Sequence, residues 1–462
     1  MLKTMFCRTR RTMTTWSCAL LTLLVFVGLG FVLTILLEGS QAPSYAPQLY
    51  KMQSRIRAEA HHDNKEETDN KIHTCSPRSK YVFIATHKTG TVTTSNVFQR
   101  YAIINKLAVL IPTEGNVLSW GVSPVEEDYI HTPDEQYDAM WNHFTYNKTW
   151  LRSRFPADTA YISIIREPSN QLRSATNYYY LPKLMKIKSK NPVKTFLKNP
   201  WKYKKLSEAH YAYCNVTWDP SRNFMSFDLG YPAKGAEDEE RAHKYIRELE
   251  TDFTLVLLLD YLDESLVLLG RLMCWELQDI LYVHKNNRHY SYKTYVPSQK
   301  ELANLRRWKA VDYLLFDTFN ASLWRKIAEQ GKDFFDEVKH FKEVNTQVNT
   351  YCSERQKGEQ NLTVAASKWS SQFEVDAEFC RIIQSVVREL LQPVQKGHER
   401  GRKLLSEKVN IKALINGQPT FKYTTERENY LHMAKSSKKT KSEGKIIKKK
   451  QNINEDTKKG GG

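Results

Sequence analysis

Tyr81-Val82-Phe83-Ile84-Ala85-Thr86-His87-Lys88-Thr89-Gly90-Thr91-Val92-Thr93-Thr94-Ser95 is the stretch from which the rest of the chain can be read. Its opening is an apolar run with β-branched and aromatic residues, which predicts a buried parallel strand. Val97, Phe98, Tyr101 and Ala102 follow at helical spacing. Between strand and helix lies a loop of small residues with one lysine. That geometry offers backbone N–H groups and the positive end of a helix to an anion. Lys88 adds a mobile positive charge. The order is not that of a Walker A loop, because the lysine precedes the glycine. It points away from ordinary NTPases and towards another phosphate-bearing donor.

Working outward, residues 159–165 form a second apolar run, stopped by Arg166-Glu167-Pro168. Arg166 then stands at the carboxyl edge, where open α/β sheets bind ligands. Residues 171–180 read as a helix carrying Ser174, and His143 is expected at a strand end or in a loop. Residues 237–250 read as an amphipathic helix, 253–259 as a third strand, and 263–265 as a helix start. One helix is expected over 301–330, and another is marked by Phe334, Val338, Phe341 and Val348. Apolar strands alternating with helices predict an α/β fold, a P-loop-like parallel sheet flanked by helices.

Residues 16–37 are almost wholly apolar, about the length of a membrane-spanning helix. Lys3, Arg8, Arg10 and Arg11 precede them and place the short N-terminal side in the cytosol. A cleaved signal peptide has a shorter apolar core, so an uncleaved type II anchor is expected. The expected layout is a cytosolic tail (1–15), an anchor (16–37), a stem (38–75), a lumenal catalytic domain (76–395) and a basic, disordered tail (396–462). N-x-[ST] triplets at Asn147, Asn215, Asn320 and Asn361 all lie on the lumenal side as glycosylation acceptors. Five of the seven cysteines lie there too, where disulfides persist. An odd number leaves one free or paired between chains, which is compatible with a homodimer. No Cys/His cluster has zinc spacing, so no metal is expected. The formal net charge of +18 is concentrated partly in the lysine-rich C-terminus, read as a solvated tail. The anchor argues against a nucleic-acid partner.

A guanidinium and a hydroxyl placed like Arg166 and Ser174 can hold a second phosphate. Two phosphate sites fit a nucleotide with phosphates at both ends. At this point the chain resembles a known family. His87 to Thr93 looks like the 5′-phosphosulfate loop of Golgi sulfotransferases, and Arg166-Glu167-Pro168 with Ser174 looks like their 3′-phosphate motif. Residues 142–147, Phe227-Asp228-Leu229-Gly230, residues 260–283 and residues 319–324 make it similar to the galactose-3-O-sulfotransferases. Val92 departs from the hydroxyl residue usual in that loop, Glu167 from the usual aspartate, and the basic tail is foreign to the pattern.

The resemblance implies 3′-phosphoadenylyl sulfate as co-substrate and the galactose of a glycolipid or glycan as acceptor. It implies that Lys88 and the N–H groups of Thr89, Gly90, Thr91, Val92, Thr93 and Thr94 hold the phosphosulfate. Arg166 and Ser174 would hold the 3′-phosphate, and His87 would be the base, with His143 as second candidate or acceptor ligand. His87 and Lys88 can both reach one site only if the strand has ended before them. It further implies a Golgi membrane location. A lumenal kinase would need magnesium carboxylates near the loop, a metal-dependent glycosyltransferase an acidic D-x-D motif, and neither is evident. A heparin-binding protein would not need Lys88, Arg166 and Ser174 in this order.

Overall fold

Tyr81, Val82, Phe83 and Ile84 are all fully buried, as a strand covered on both faces requires. They form β1 (Tyr81–Ile84). A computed structural model describes residues 75–398, except 133–134, 212–215, 286–287, 357, 387–388 and 390. These residues fall in one compact unit, 66–462, of the two into which the chain divides. The expected anchor and nearly all of the stem and basic tail lie outside the described residues, as do Cys214 and Asn215. Among the described residues no helix is long and apolar enough to cross a membrane.

β1 pairs in parallel with β2 (Ala139–Met140) on one side and with β3 (Ala160–Ile165) on the other. β4 (Leu255–Leu258) extends the sheet beyond β3, also in parallel. The order β2-β1-β3-β4 has a consequence for binding. The chain leaves β1 for one edge of the sheet and leaves β3 for the other. The carboxyl ends of β1 and β3 therefore flank a topological switch point, the crevice where such sheets take ligands. Lys88 follows β1 and Arg166 follows β3.

Helices cover the sheet. Apart from several one-turn helices, they include α1 (Thr91–Ile104), α2 (Pro168–Tyr178), the short α3 (Phe224–Asp228) and α4 (Glu239–Asp252). Then come α5 (Leu262–Met273), α6 (Gln299–Trp308), α7 (Ala310–Ala328), α8 (Phe334–Glu354) and α9 (Ala377–Gln384). The expected helix over 301–330 is two helices. Lys309 lies between them with φ −111° and ψ 40°, fully buried, its ammonium bonded to Gln171 and Asp312. A buried lysine must reach a partner, and the backbone bends to let it. The expected helix at 171–180 starts earlier, at Pro168, because proline suits the first helical position.

A second cluster of buried residues, including Trp120, Tyr179, Trp218, Phe224 and Trp308, packs beneath α2. Two disulfides, Cys75–Cys274 and Cys352–Cys380, tie the first described residue to the end of α5 and α8 to α9. Gly90, which precedes α1, has φ 85°, and a Cβ there would stand 2.6 Å from Leu259 Cδ1. Gly90→Ala should therefore lower stability by about 1–3 kcal/mol. Urea denaturation checks this, and an unchanged midpoint contradicts it.

Candidate active site

The loop after β1 is braced by hydrogen bonds of its threonine hydroxyls. Thr86 Oγ1 donates to the Ile164 carbonyl of β3, and Thr89 Oγ1 donates to the Thr86 carbonyl at 3.0 Å. Lys88 has φ 66° and Gly90 φ 85°, so the chain curls tightly between strand and helix. The strand has ended before His87, which frees His87 and Lys88 from opposite-face alternation. α1 starts with no side-chain cap and no acid in its first turn. Such an end favours an anion.

The loop corrects part of the expectation. The N–H groups of Thr93 and Thr94 are engaged by the Gly90 carbonyl at 2.9 and 3.3 Å, as helical turns require. The amides of Thr91 and Val92 come before Thr93 N, the first amide that bonds within the helix, and are among the N–H groups that a helix start leaves open. Thr93 Oγ1 accepts from Lys285 N at 3.0 Å and Thr94 Oγ1 donates to the Gly90 carbonyl at 3.5 Å. Among the described residues Thr91 keeps a hydroxyl with no internal hydrogen bond, beside Val92, which has none.

His87 is 3% exposed and Asp228 1%. His87 Nδ1 lies 2.8 Å from Asp228 Oδ1, and the His87 backbone N–H donates to Asp228 Oδ2 at 2.6 Å. Trp120 Nε1 donates to Asp228 Oδ1 at 2.9 Å. Three donors converge on one carboxylate, so the ring donates from Nδ1, and in the neutral ring Nε2 carries the lone pair. Burial pushes the Asp228 carboxyl up, against the charge and hydrogen bonds of His87 and the Trp120 donor. His143 stacks on His87 at 4.3 Å between ring centroids. Its Nδ1 lies 2.8 Å from the Ala85 carbonyl, which can only accept, so His143 has the same tautomer. The two imidazoles stand side by side at the end of β1.

Lys88 Nζ sits 3.7 Å from the centre of the Tyr178 ring, at the end of α2. Ser174, half-buried, lies one helical turn earlier on the same face. The loop lysine and Ser174 thus share one edge of α2. Arg166 follows the end of β3, next to the end of β1 that leads to Lys88. Its guanidinium makes no hydrogen bond or ion pair among the described residues, and its Nε is buried without a partner. Burial lowers its pKa, against the pull of nearby Asp260. Glu167 does not pair with it. That carboxylate caps α2, accepting from Ser169 N and Asn170 N at 2.9 and 2.7 Å and from Tyr313 Oη at 3.2 Å.

Asp228 and Trp120 have no place among the site residues expected from sequence. The available signal was Asp228 itself, an acid inside the otherwise apolar Phe227-Asp228-Leu229. Deeper still, Gln171 Nε2 donates to the His87 carbonyl at 3.3 Å and its Oε1 accepts from Lys309 Nζ at 2.7 Å. Lys309 pairs with Asp312 at 2.9 Å, and Asp312 accepts from Ser226 on α3, two residues before Asp228. A buried chain of polar groups so links the loop, α2 and α3.

Among the described residues no group of three His, Cys, Asp or Glu side chains is placed to hold a metal ion. Asn361 is exposed and Asn147 half-buried. Asn320 departs from the expected surface acceptor. It is buried within α7, its Oδ1 accepting from Trp324 Nε1 at 3.1 Å, and a glycan there would undo that packing.

A family model described as galactose-3-O-sulfotransferase matches residues 2–370. Mouse galactosylceramide sulfotransferase is 31% identical over 290 residues, covering 60% of this chain and 65% of the relative. Mouse galactose-3-O-sulfotransferase 3 is 28% identical over 339 residues, covering 71% and 73%. Pig galactose-3-O-sulfotransferase 2 is 32% identical over 263 residues, covering 54% and 62%. The chain thus spans 65% of the length of the mouse galactosylceramide sulfotransferase.

A half-buried guanidinium whose Nε is buried without a partner disfavours the fold and favours an anion. Arg166→Ala should leave the unfolding temperature equal or higher. It should also weaken inorganic phosphate binding about ten- to a hundredfold, the worth of one charge-assisted hydrogen bond. Thermal denaturation across a phosphate series reads both effects. A large loss of stability with phosphate binding intact contradicts the assignment.

Proposed function

The chain belongs to the galactose-3-O-sulfotransferase family, and we propose that it moves a sulfuryl group from 3′-phosphoadenylyl sulfate to a galactose hydroxyl, the 3-OH. One observation carries this reading. An imidazole whose Nδ1 is held by a buried carboxylate stands beside a lysine and an uncapped helix N-terminus. That is a base next to an anion cradle. The names of the relatives, which give galactosylceramide and galactose, support the acceptor class.

In this reading the galactose hydroxyl gives its proton to His87 Nε2 as its oxygen bonds to sulfur. The bond from sulfur to the phosphate oxygen breaks, and the leaving group is 3′-phosphoadenosine 5′-phosphate. Lys88 and the amides at the start of α1 stabilise charge on the leaving oxygens, where such transfers draw most of their acceleration. Arg166 and Ser174 hold the 3′-phosphate, a group that ATP lacks. Asp228 fixes the tautomer of His87 and stabilises the imidazolium. His143 binds the acceptor hydroxyl's neighbourhood. The α/β sheet is then a sulfotransferase fold occupying residues 76–395.

We also propose an N-terminal anchor at 16–37 that holds this domain in the Golgi lumen. The two disulfides support an oxidising compartment, and Asn147 and Asn361 are open enough to carry glycans.

Labelled-sulfate transfer to a panel of galactosides, with linkage mapping, tests the reaction. Label at the galactose 3-position is expected, and no transfer to any galactoside contradicts it. Lys88→Ala should abolish transfer in a folded protein. Asp228→Asn should cost roughly 10²–10⁴-fold in kcat, because an amide donor forces the proton onto Nε2. Its donor KM should hardly move. A normal rate in His87→Ala would hand the base role to His143.

A further inference from the structure

A cavity of about 600 Å³ opens beside the site, within the roughly 300–1,000 Å³ range of small-molecule pockets. Its wall continues three segments that surround His87. Gly121 follows Trp120, Thr145 lies two residues past His143, and Phe227 precedes Asp228; all three line the cavity. Gly121 N donates to Thr145 Oγ1 at 2.8 Å, which ties two of these segments together. None of His87, Lys88, Arg166 or Ser174 lines the cavity, so the sulfuryl donor is not its occupant.

The chemistry of the wall narrows the occupant. The floor is aromatic, with Trp218, Phe227 and Tyr231. The rim is charged with both signs. Lys204, Lys234, Glu208 and Glu237 are exposed there, and Arg222 joins Glu237 at 2.8 Å. Just beneath the wall, Asn223 Nδ2 and Arg222 Nε are buried without a hydrogen-bond partner. A lipid tail would desolvate these charges and offer nothing in return. A chain of hydroxyl-bearing rings supplies donors and acceptors for the rim and apolar ring faces for the floor.

We infer that this cavity is a second acceptor subsite, which binds the sugars that follow the terminal galactose. This rests on the proposed sulfation of galactose and deepens it: the acceptor is an oligosaccharide rather than a galactosyl lipid. The terminal ring sits at His87 and His143, and the next rings lie along the cavity.

The test uses the full-length chain in detergent with two kinds of change. Ala236→Trp fills the cavity, and the Lys204→Ala, Lys234→Ala pair strips its rim. KM for a galactose-terminated trisaccharide should rise about tenfold or more in Ala236→Trp, and several-fold in the rim pair. KM for methyl β-galactoside and for the donor should move less than twofold. Unchanged trisaccharide KM in both variants overturns the inference, with the proposed reaction intact. So does a rise seen only for galactosylceramide in mixed micelles, which would make the cavity a lipid site. If the wild type transfers sulfate to no galactoside, the proposed reaction fails instead. Trisaccharide titration by tryptophan fluorescence then decides the cavity alone: binding lost in Ala236→Trp supports it, and no wild-type binding overturns it.

Discussion

The contact between Asp228 and His87 holds this site together. One buried carboxylate takes the His87 ring, the His87 backbone N–H and the Trp120 indole. The ring bond sets which nitrogen carries the proton. The backbone bond fixes where the loop leaves β1, and with it the position of Lys88. The indole bond joins the site to the aromatic cluster under α2. An acid in so dry a place is costly unless its lone pairs are filled, and here His87 and Trp120 fill them.

Behind this contact lies a second buried pair. Lys309 and Asp312 are both fully buried, and each has a further partner, Gln171 for the lysine and Ser226 for the acid. Gln171 reaches the His87 carbonyl and Ser226 sits on the helix that carries Asp228. Pairs of this kind add little stability over apolar packing. Their effect here is positional: they tie the loop to α2 and α3, so His87 and Asp228 stay in register.

Much of the fold was legible because its strands are continuous apolar runs, and such runs signal strands buried on both faces. β1, β3 and β4 appear where the pattern put them. The split of the expected 301–330 helix was not legible, because the local pattern stays helical through Lys309 and its partner Gln171 lies 138 positions away. The site divides in the same way. Lys88, His87 and Arg166 stand next to recognisable strand ends, and Ser174 lies in the helix that follows the second of them. Asp228 reaches His87 across 141 positions of sequence, and no local pattern encodes that contact. Nor did spacing reveal that Thr93 and Thr94 turn their amides to Gly90, since hydrogen bonds inside a first helical turn depend on its start. The glycine with φ 85° fixes that start.

Nitrogen-15 NMR of histidine-labelled protein at neutral pH tests the central contact most directly. The His87 ring should show a protonated Nδ1 and an unprotonated Nε2 of lone-pair type, and this pattern should invert in Asp228→Asn. A His87 ring that carries its proton on Nε2 in the wild type, or exchanges freely between tautomers, would contradict the account.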